Sequence, residues 1–141
     1  MHDLSSSARI VFLKLGGSLI TDKTVPEAVR SDVLERVAAE VAAALAQSPG
    51  LRLLLGHGSG SFGHVAAARF GVQRGHPADW RGYAETAAAA ARLNRLVVDA
   101  FLRTGVPVVA LQPSGSAHTA SGEIVELAAW PIPELWMRGL V

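Results

Sequence analysis

The chain has 141 residues, with 13 Lys and Arg against 12 Asp and Glu and a formal net charge of +1, which leaves no basic footprint for nucleic acid. Half the residues are hydrophobic and 18% are charged, the composition of a globular domain with one core and not of a disordered segment. There is no cysteine to form disulfides or thiolate zinc sites, Met1–Arg9 lack a signal peptide's apolar core, and no apolar run reaches the roughly 18–20 residues of a membrane span, so a cytoplasmic protein is expected.

Residues 1–9 are polar and read as a loose tail, and residues 10–141 as the folded part. Ile10–Leu15 reads as a strand apolar on both faces, of the kind buried in a parallel sheet. Gly16 and Gly17 end it, Ser18–Ile20 begins a helix or turn, and Thr21–Pro26 carries turn residues. The stripe Val33, Leu34, Val37, Val41 and Leu45 predicts a helix over Asp32–Gln47, with Asp32 and Glu35 spaced as a capping box. After Ser48-Pro49-Gly50, Leu51–Leu55 is a second apolar strand, which makes a βαβ unit with the first.

Next comes Gly56-His57-Gly58-Ser59-Gly60-Ser61-Phe62-Gly63-His64, then a short helix over Val65–Phe70 with Gly71 as its C-cap. Gly75–Trp80 reads as a loop. Arg81–Arg103 reads as a long helix whose buried face holds Leu93, Leu96, Val97, Ala100 and Phe101. Val106–Leu111 is a third strand with a loose start at Pro107, Pro113–Ser116 a turn, Glu123–Val125 an edge strand and Pro133–Arg138 a short helix. Gly139-Leu140-Val141 repeats the entry pattern of Gly105-Val106-Pro107, so the chain is expected to stop where another strand begins.

Strand, glycine loop, helix is a way to build an anion site. Glycine lets backbone N–H groups come close to a phosphate, and the helix turns its positive end toward the same point. The chain has two such loops: Lys14-Leu15-Gly16-Gly17-Ser18 and the nine-residue stretch from Gly56. One carries a lysine and the other ends in a histidine, an arrangement suited to two phosphates held side by side, as in phosphoryl transfer. Lys14, at the end of an apolar strand, would place a positive charge at the carboxyl edge of the sheet. His64 would offer a ring N–H to an acceptor phosphate, while His57 is read as bonding the backbone. Gly58-x-Gly60-x-x-Gly63 matches the dinucleotide fingerprint only formally. Asp79 and Glu85 do not end a second strand, so a nicotinamide cofactor is not expected. No metal-ligand spacing is present, and Asp22-Lys23 reads from spacing alone as a solvated loop pair.

The stretches Leu13-Lys14-Leu15-Gly16-Gly17-Ser18-Leu19-Ile20-Thr21-Asp22-Lys23 and His57-Gly58-Ser59-Gly60-Ser61-Phe62-Gly63-His64 resemble the amino acid kinase superfamily, and within it the isopentenyl phosphate kinases. Leu111-Gln112-Pro113-Ser114 shares the likeness, which runs from about Ile10 to Val141. The resemblance implies an α/β fold, an αβα sandwich with a mostly parallel sheet. It also implies transfer of the ATP γ-phosphoryl group, with Mg²⁺, to isopentenyl phosphate or a similar small phosphate monoester. Carried over, Lys14, Gly16, Gly17, Ser18 and Gly60 would contact ATP phosphates, and Ser59 and His64 would bind the acceptor phosphate. Lys23 would reach the phosphates from its loop, and Lys14, His64 and Lys23 would be the catalytic set. Tyr83, with Ala84 and Ala87, would line an apolar wall for an isoprenoid tail.

Members of that family run well past this length. The chain is therefore expected to be the N-terminal, acceptor-binding part of such a domain, a homodimer when full length, with efficient catalysis needing the remainder. The alternatives are another small-molecule kinase of the superfamily, such as fosfomycin kinase, and a non-catalytic phosphate-binding fragment.

Overall fold

The computed structural model describes residues 9–72 and 80–141. Its first half runs β1 (Ile10–Leu15), α1 (Gly17–Ile20), β2 (Thr21–Asp22), β3 (Ala28–Val29), α2 (Ser31–Gln47), β4 (Arg52–His57) and α3 (Gly60–Phe70). Its second half runs α4 (Trp80–Arg103), α5 (Pro113–Ser116), β5 (Ala117–Ala120), β6 (Glu123–Leu127) and α6 (Pro131–Met137). Residues 1–8 of the expected tail and residues 75–79 of the expected loop lie outside the described residues, and Trp80, read as the end of that loop, opens α4 instead.

β1 and β4 pair in parallel, from Ile10 opposite Arg52 to Leu15 opposite His57, and α2 is the crossover between them. Because the strands are parallel and in this register, both glycine loops leave the sheet at the same edge. The other two pairings, β2 with β3 and β5 with β6, are antiparallel. In α4, Ala89, Leu93, Val97 and Ala100 fall at helical spacing and are all buried, with Phe101 beside them. Leu15, Ile20, Leu34, Ala38 and Phe62 complete the core from the other elements. Gly82 lets α4 approach α3, since a methyl group there would run into the Phe70 side chain. Among the described residues no helix is long and apolar enough to cross a membrane.

Several sequence expectations change. β1 is buried on one side only: Leu15 is covered, but Phe12, on the opposite face of the strand, borders the large apolar cavity and is 72% exposed. Leu96, expected on the buried face of α4, is partly exposed, since the stripe runs through Leu93, Val97 and Ala100 instead. α3 begins at Gly60 and not at Val65, so the end of the glycine motif is itself helical. The capping box at Asp32 is absent: α2 starts at Ser31 after Arg30, with no side-chain cap. The expected turn at Pro113–Ser116 is a short helix followed by a hairpin, of which only β6 was foreseen. Thr21 and Asp22, read as loop, pair with Val29 and Ala28.

Residues 106–111 are not laddered into the sheet. Instead Val141 N donates to the Pro107 carbonyl at 2.9 Å and Val109 N to the Val141 carbonyl at 2.8 Å, the exchange that opens a parallel pairing. α6 reaches the sheet through a side chain, its Trp136 Nε1 donating to the Leu53 carbonyl of β4 at 2.9 Å.

Candidate functional site

The two glycine loops touch backbone to backbone. Gly58 N donates to the Leu15 carbonyl at 2.9 Å, which carries the strand pairing one residue past β4. A methyl group on Gly17 would lie 2.5 Å from Gly60 N and 3.2 Å from the Gly58 carbonyl carbon, and one on Gly58 would lie 2.9 Å from Gly17 N. No side chain fits at this crossing. Gly60 also has a φ of 51°, in the left-handed region that favours glycine.

Thr21 holds the crossing together. It is 1% exposed, and its Oγ1 donates to the Gly17 carbonyl at 2.7 Å and accepts from Ser61 N at 3.0 Å. One hydroxyl thus ties Gly17, the first residue of α1, to the first turn of α3. The Ser61 Oγ is buried without a partner among the described residues, so it is the Ser61 N–H that makes the junction. The N–H of Ser59, just before α3, has no partner among the described residues, and the α3 N-terminus adds partial positive charge beside it.

Lys14, Ser59 and Tyr83 line one cavity of about 830 Å³. Its walls are mainly apolar, with Leu55 of β4, Ala87 and Val97 of α4, and Leu111 among them. The Tyr83 hydroxyl donates to the Ser114 carbonyl at 3.1 Å, so α4 and α5 meet over the cavity. Trp80 sits edge-on to Tyr83, ring centroids 5.9 Å apart. A cavity of roughly 150 Å³ already takes a benzene-sized ligand. The space is therefore far larger than a five-carbon tail needs.

The remaining expected site residues lie elsewhere. Gly16, Gly17 and Gly60 are at the loop crossing, and Ser18 is exposed on α1. His64, the fifth residue of α3, is exposed and does not line the cavity. Lys23 is exposed in the turn between β2 and β3 and does not line it either.

Both ends of that turn are anchored. Asp22 Oδ1 accepts from Thr24 Oγ1 at 2.6 Å and Thr24 N at 2.8 Å, bonds that hold the carboxyl below its ordinary value. Glu27, in left-handed backbone with φ 54°, makes a two-pronged ion pair with Arg92 of α4. Hydrogen bonding to Arg92 lowers the Glu27 pKa, and the same bonds raise that of Arg92.

Two residues of the site were not foreseen. Thr21 carried no local signal, because its partner Ser61 is 40 positions away. Asn94, inside a helical run, places its Nδ2 3.0 Å from His57 Nε2, and nothing in the local pattern announces that contact.

A family model described as the amino acid kinase family matches residues 9–141. An isopentenyl phosphate kinase of Methanocaldococcus jannaschii is 34% identical over 140 residues, covering 94% of this chain and 53% of the relative. One of Methanothermobacter thermautotrophicus is 40% identical over 122 residues, covering 82% of this chain and 44% of the relative. Among solved structures, an isopentenyl phosphate kinase superposes with a TM-score of 0.82 at 35% identity, over 94% of this chain and 56% of that one. The chain thus spans about half the length of the curated relatives it matches.

Proposed function

The chain belongs to the amino acid kinase family, and from that premise we propose that it carries the acceptor-side part of an ATP-dependent kinase for isopentenyl phosphate, giving isopentenyl diphosphate in the cytoplasm. The observation that supports this reading most is the crossing of two glycine loops, Gly17 against Gly58 and Gly60, beside an apolar cavity. A phosphate monoester with an apolar tail needs those two features next to each other.

In this reading the phosphate sits against the backbone N–H groups of the crossing. Lys14 supplies a positive charge from the end of β1, where charge on the transferring phosphoryl group can be offset. Ser59 and the apolar wall beside Tyr83 orient the acceptor, with its tail along α4. His64 and Lys23 are assigned to the acceptor phosphate and the transferring group, and both are exposed side chains outside the cavity lining. Among the described residues no cluster of three or more His, Asp or Glu could hold a metal ion. In this reading Mg²⁺ enters with the nucleotide, bound by phosphate oxygens and water.

The test is phosphorus NMR of ATP, Mg²⁺ and isopentenyl phosphate with the 141-residue chain, beside His64→Ala. New diphosphate resonances that vanish in His64→Ala are expected of a complete site. Perturbation of the isopentenyl phosphate signal without turnover, again dependent on His64, is expected of an acceptor-binding half. Equal response to fosfomycin would move the acceptor assignment to another kinase of the family. No response to any phosphate ester by the folded chain would overturn the reading.

A further inference from the structure

We propose that His57 and Asn94 form a positioning pair that aims the Ser59 N–H of the glycine loop and ties that loop to α4. The inference deepens the reading of the loop crossing as a phosphate site and rests on it.

His57 is the last residue of β4 and is half-buried. Its Nδ1 lies 3.2 Å from the Gly58 carbonyl, which can only accept, so Nδ1 carries the proton. In the neutral ring Nε2 is then an acceptor, and it faces Asn94 Nδ2, a donor, at 3.0 Å. Each contact requires the tautomer that the other requires. The described residues have no cis peptide bond, so the Gly58–Ser59 peptide is trans, and its N–H points opposite its carbonyl. Holding the Gly58 carbonyl toward the imidazole therefore directs the Ser59 N–H away from the ring. That N–H has no partner among the described residues, whereas the Ser59 carbonyl already accepts from Phe62 N and Gly63 N at 3.1 and 3.2 Å. A donor left open and fixed in direction is what an anion site requires.

Asn94 gives the pair a second consequence. It lies eleven residues along α4 from Tyr83, about 16 Å at the helical rise. One rigid helix thus carries both the wall of the acceptor cavity and the hydrogen bond that sets the loop. His57 and Asn94 are positioning residues in this scheme and do not touch the transferring group.

The experiment uses the ¹⁵N-labelled 141-residue chain with inorganic phosphate and then isopentenyl phosphate as probes. Long-range ¹H–¹⁵N spectra are expected to show His57 as the neutral Nδ1–H tautomer, assigned by its loss in His57→Gln. Phosphate is expected to shift the Ser59 amide. Asn94→Leu, close in size but without the donor, is expected to mix the tautomers and weaken both probes about tenfold, the scale of one hydrogen bond to a charged group. Asn94→Asp, which offers Nε2 an acceptor in place of the donor, is expected to remove the neutral Nδ1–H signature of His57 from the long-range spectra. A packing role alone would leave Asn94→Leu binding unchanged in a folded chain, and that result overturns the proposal. An Nε2–H tautomer in the parent chain overturns it as well. If phosphate moves neither Ser59 nor Gly60 in the parent chain, the phosphate-site reading fails and takes the positioning role with it. A phosphate response that is insensitive to Asn94 removes only the pair.

Discussion

Gly17→Ala tests the loop crossing most directly. The added methyl would stand 2.5 Å from Gly60 N and 2.8 Å from Gly60 Cα. Ordinary carbon contacts sit at about 3.5–4.0 Å, so one backbone must move by roughly 1 Å. Neither has an easy retreat. Gly17 is held through its carbonyl by Thr21, and Gly60 backs onto the Thr21 side chain. Overpacking of this kind costs about 1–3 kcal/mol, which at this chain length lowers the melting temperature by roughly 4–12 °C. The effect on binding should be larger, because a shift of about 1 Å in a positioned group can cost about a hundredfold. Denaturant unfolding and phosphate titration of the same protein measure both. Gly50→Ala is the control: nothing lies within 4 Å of a methyl group there, and the change should be neutral or stabilise by up to about 1 kcal/mol. If Gly17→Ala binds phosphate and resists denaturant as well as the parent chain, the crossing is not the close contact described.

Thr21→Val keeps the shape but removes the hydroxyl shared by Gly17 and Ser61, and should destabilise by about 1–3 kcal/mol in denaturant unfolding, while Thr21→Ser should lose less. Leu93→Ala, at a fully buried position of α4, should cost about 2–5 kcal/mol by the same measurement. The Glu27–Arg92 pair predicts a pH effect. The folded Glu27 pKa lies below its ordinary value, so the pair's contribution is fully present above that ordinary value and is lost as pH falls through the lower folded value. Amide spectra of residues 23–27 should therefore stay constant from neutral pH down to the ordinary glutamate range and change below it. Glu27→Gln should show the changed spectrum already at neutral pH.

The legible parts of the site were those with a local cause. Gly17, Gly58 and Gly60 stood out because a close backbone approach tolerates no side chain, and that requirement is written at each position separately. Lys14 stood out because a charge at the end of an apolar strand has few places to go. Tyr83 was placed on the cavity through family likeness, and its bond to the Ser114 carbonyl came only from the fold. His57 was read as a backbone-bonding residue, which is half of what it does: its bond to Gly58 is local, its contact with Asn94 is not. The start of α3 was misplaced because glycine disfavours a helix by about 1 kcal/mol, yet the Thr21 bond to Ser61 N and the burial of Phe62 favour one from Gly60 onward.

By itself the amino-acid order determined the βαβ unit, the extents of α2 and α4 to within a residue, and the two glycine loops at one sheet edge. Those follow from hydrophobic period and from glycine's missing side chain, which act over a few neighbouring residues. Tertiary structure alone decided that Thr21 joins the loops, that Asn94 sets the His57 tautomer, and that Phe12 is open to solvent while Leu15 is covered. Each of these depends on which distant segment arrives as a partner, and a hydrogen bond spanning 37 or 40 residues has no period to announce it.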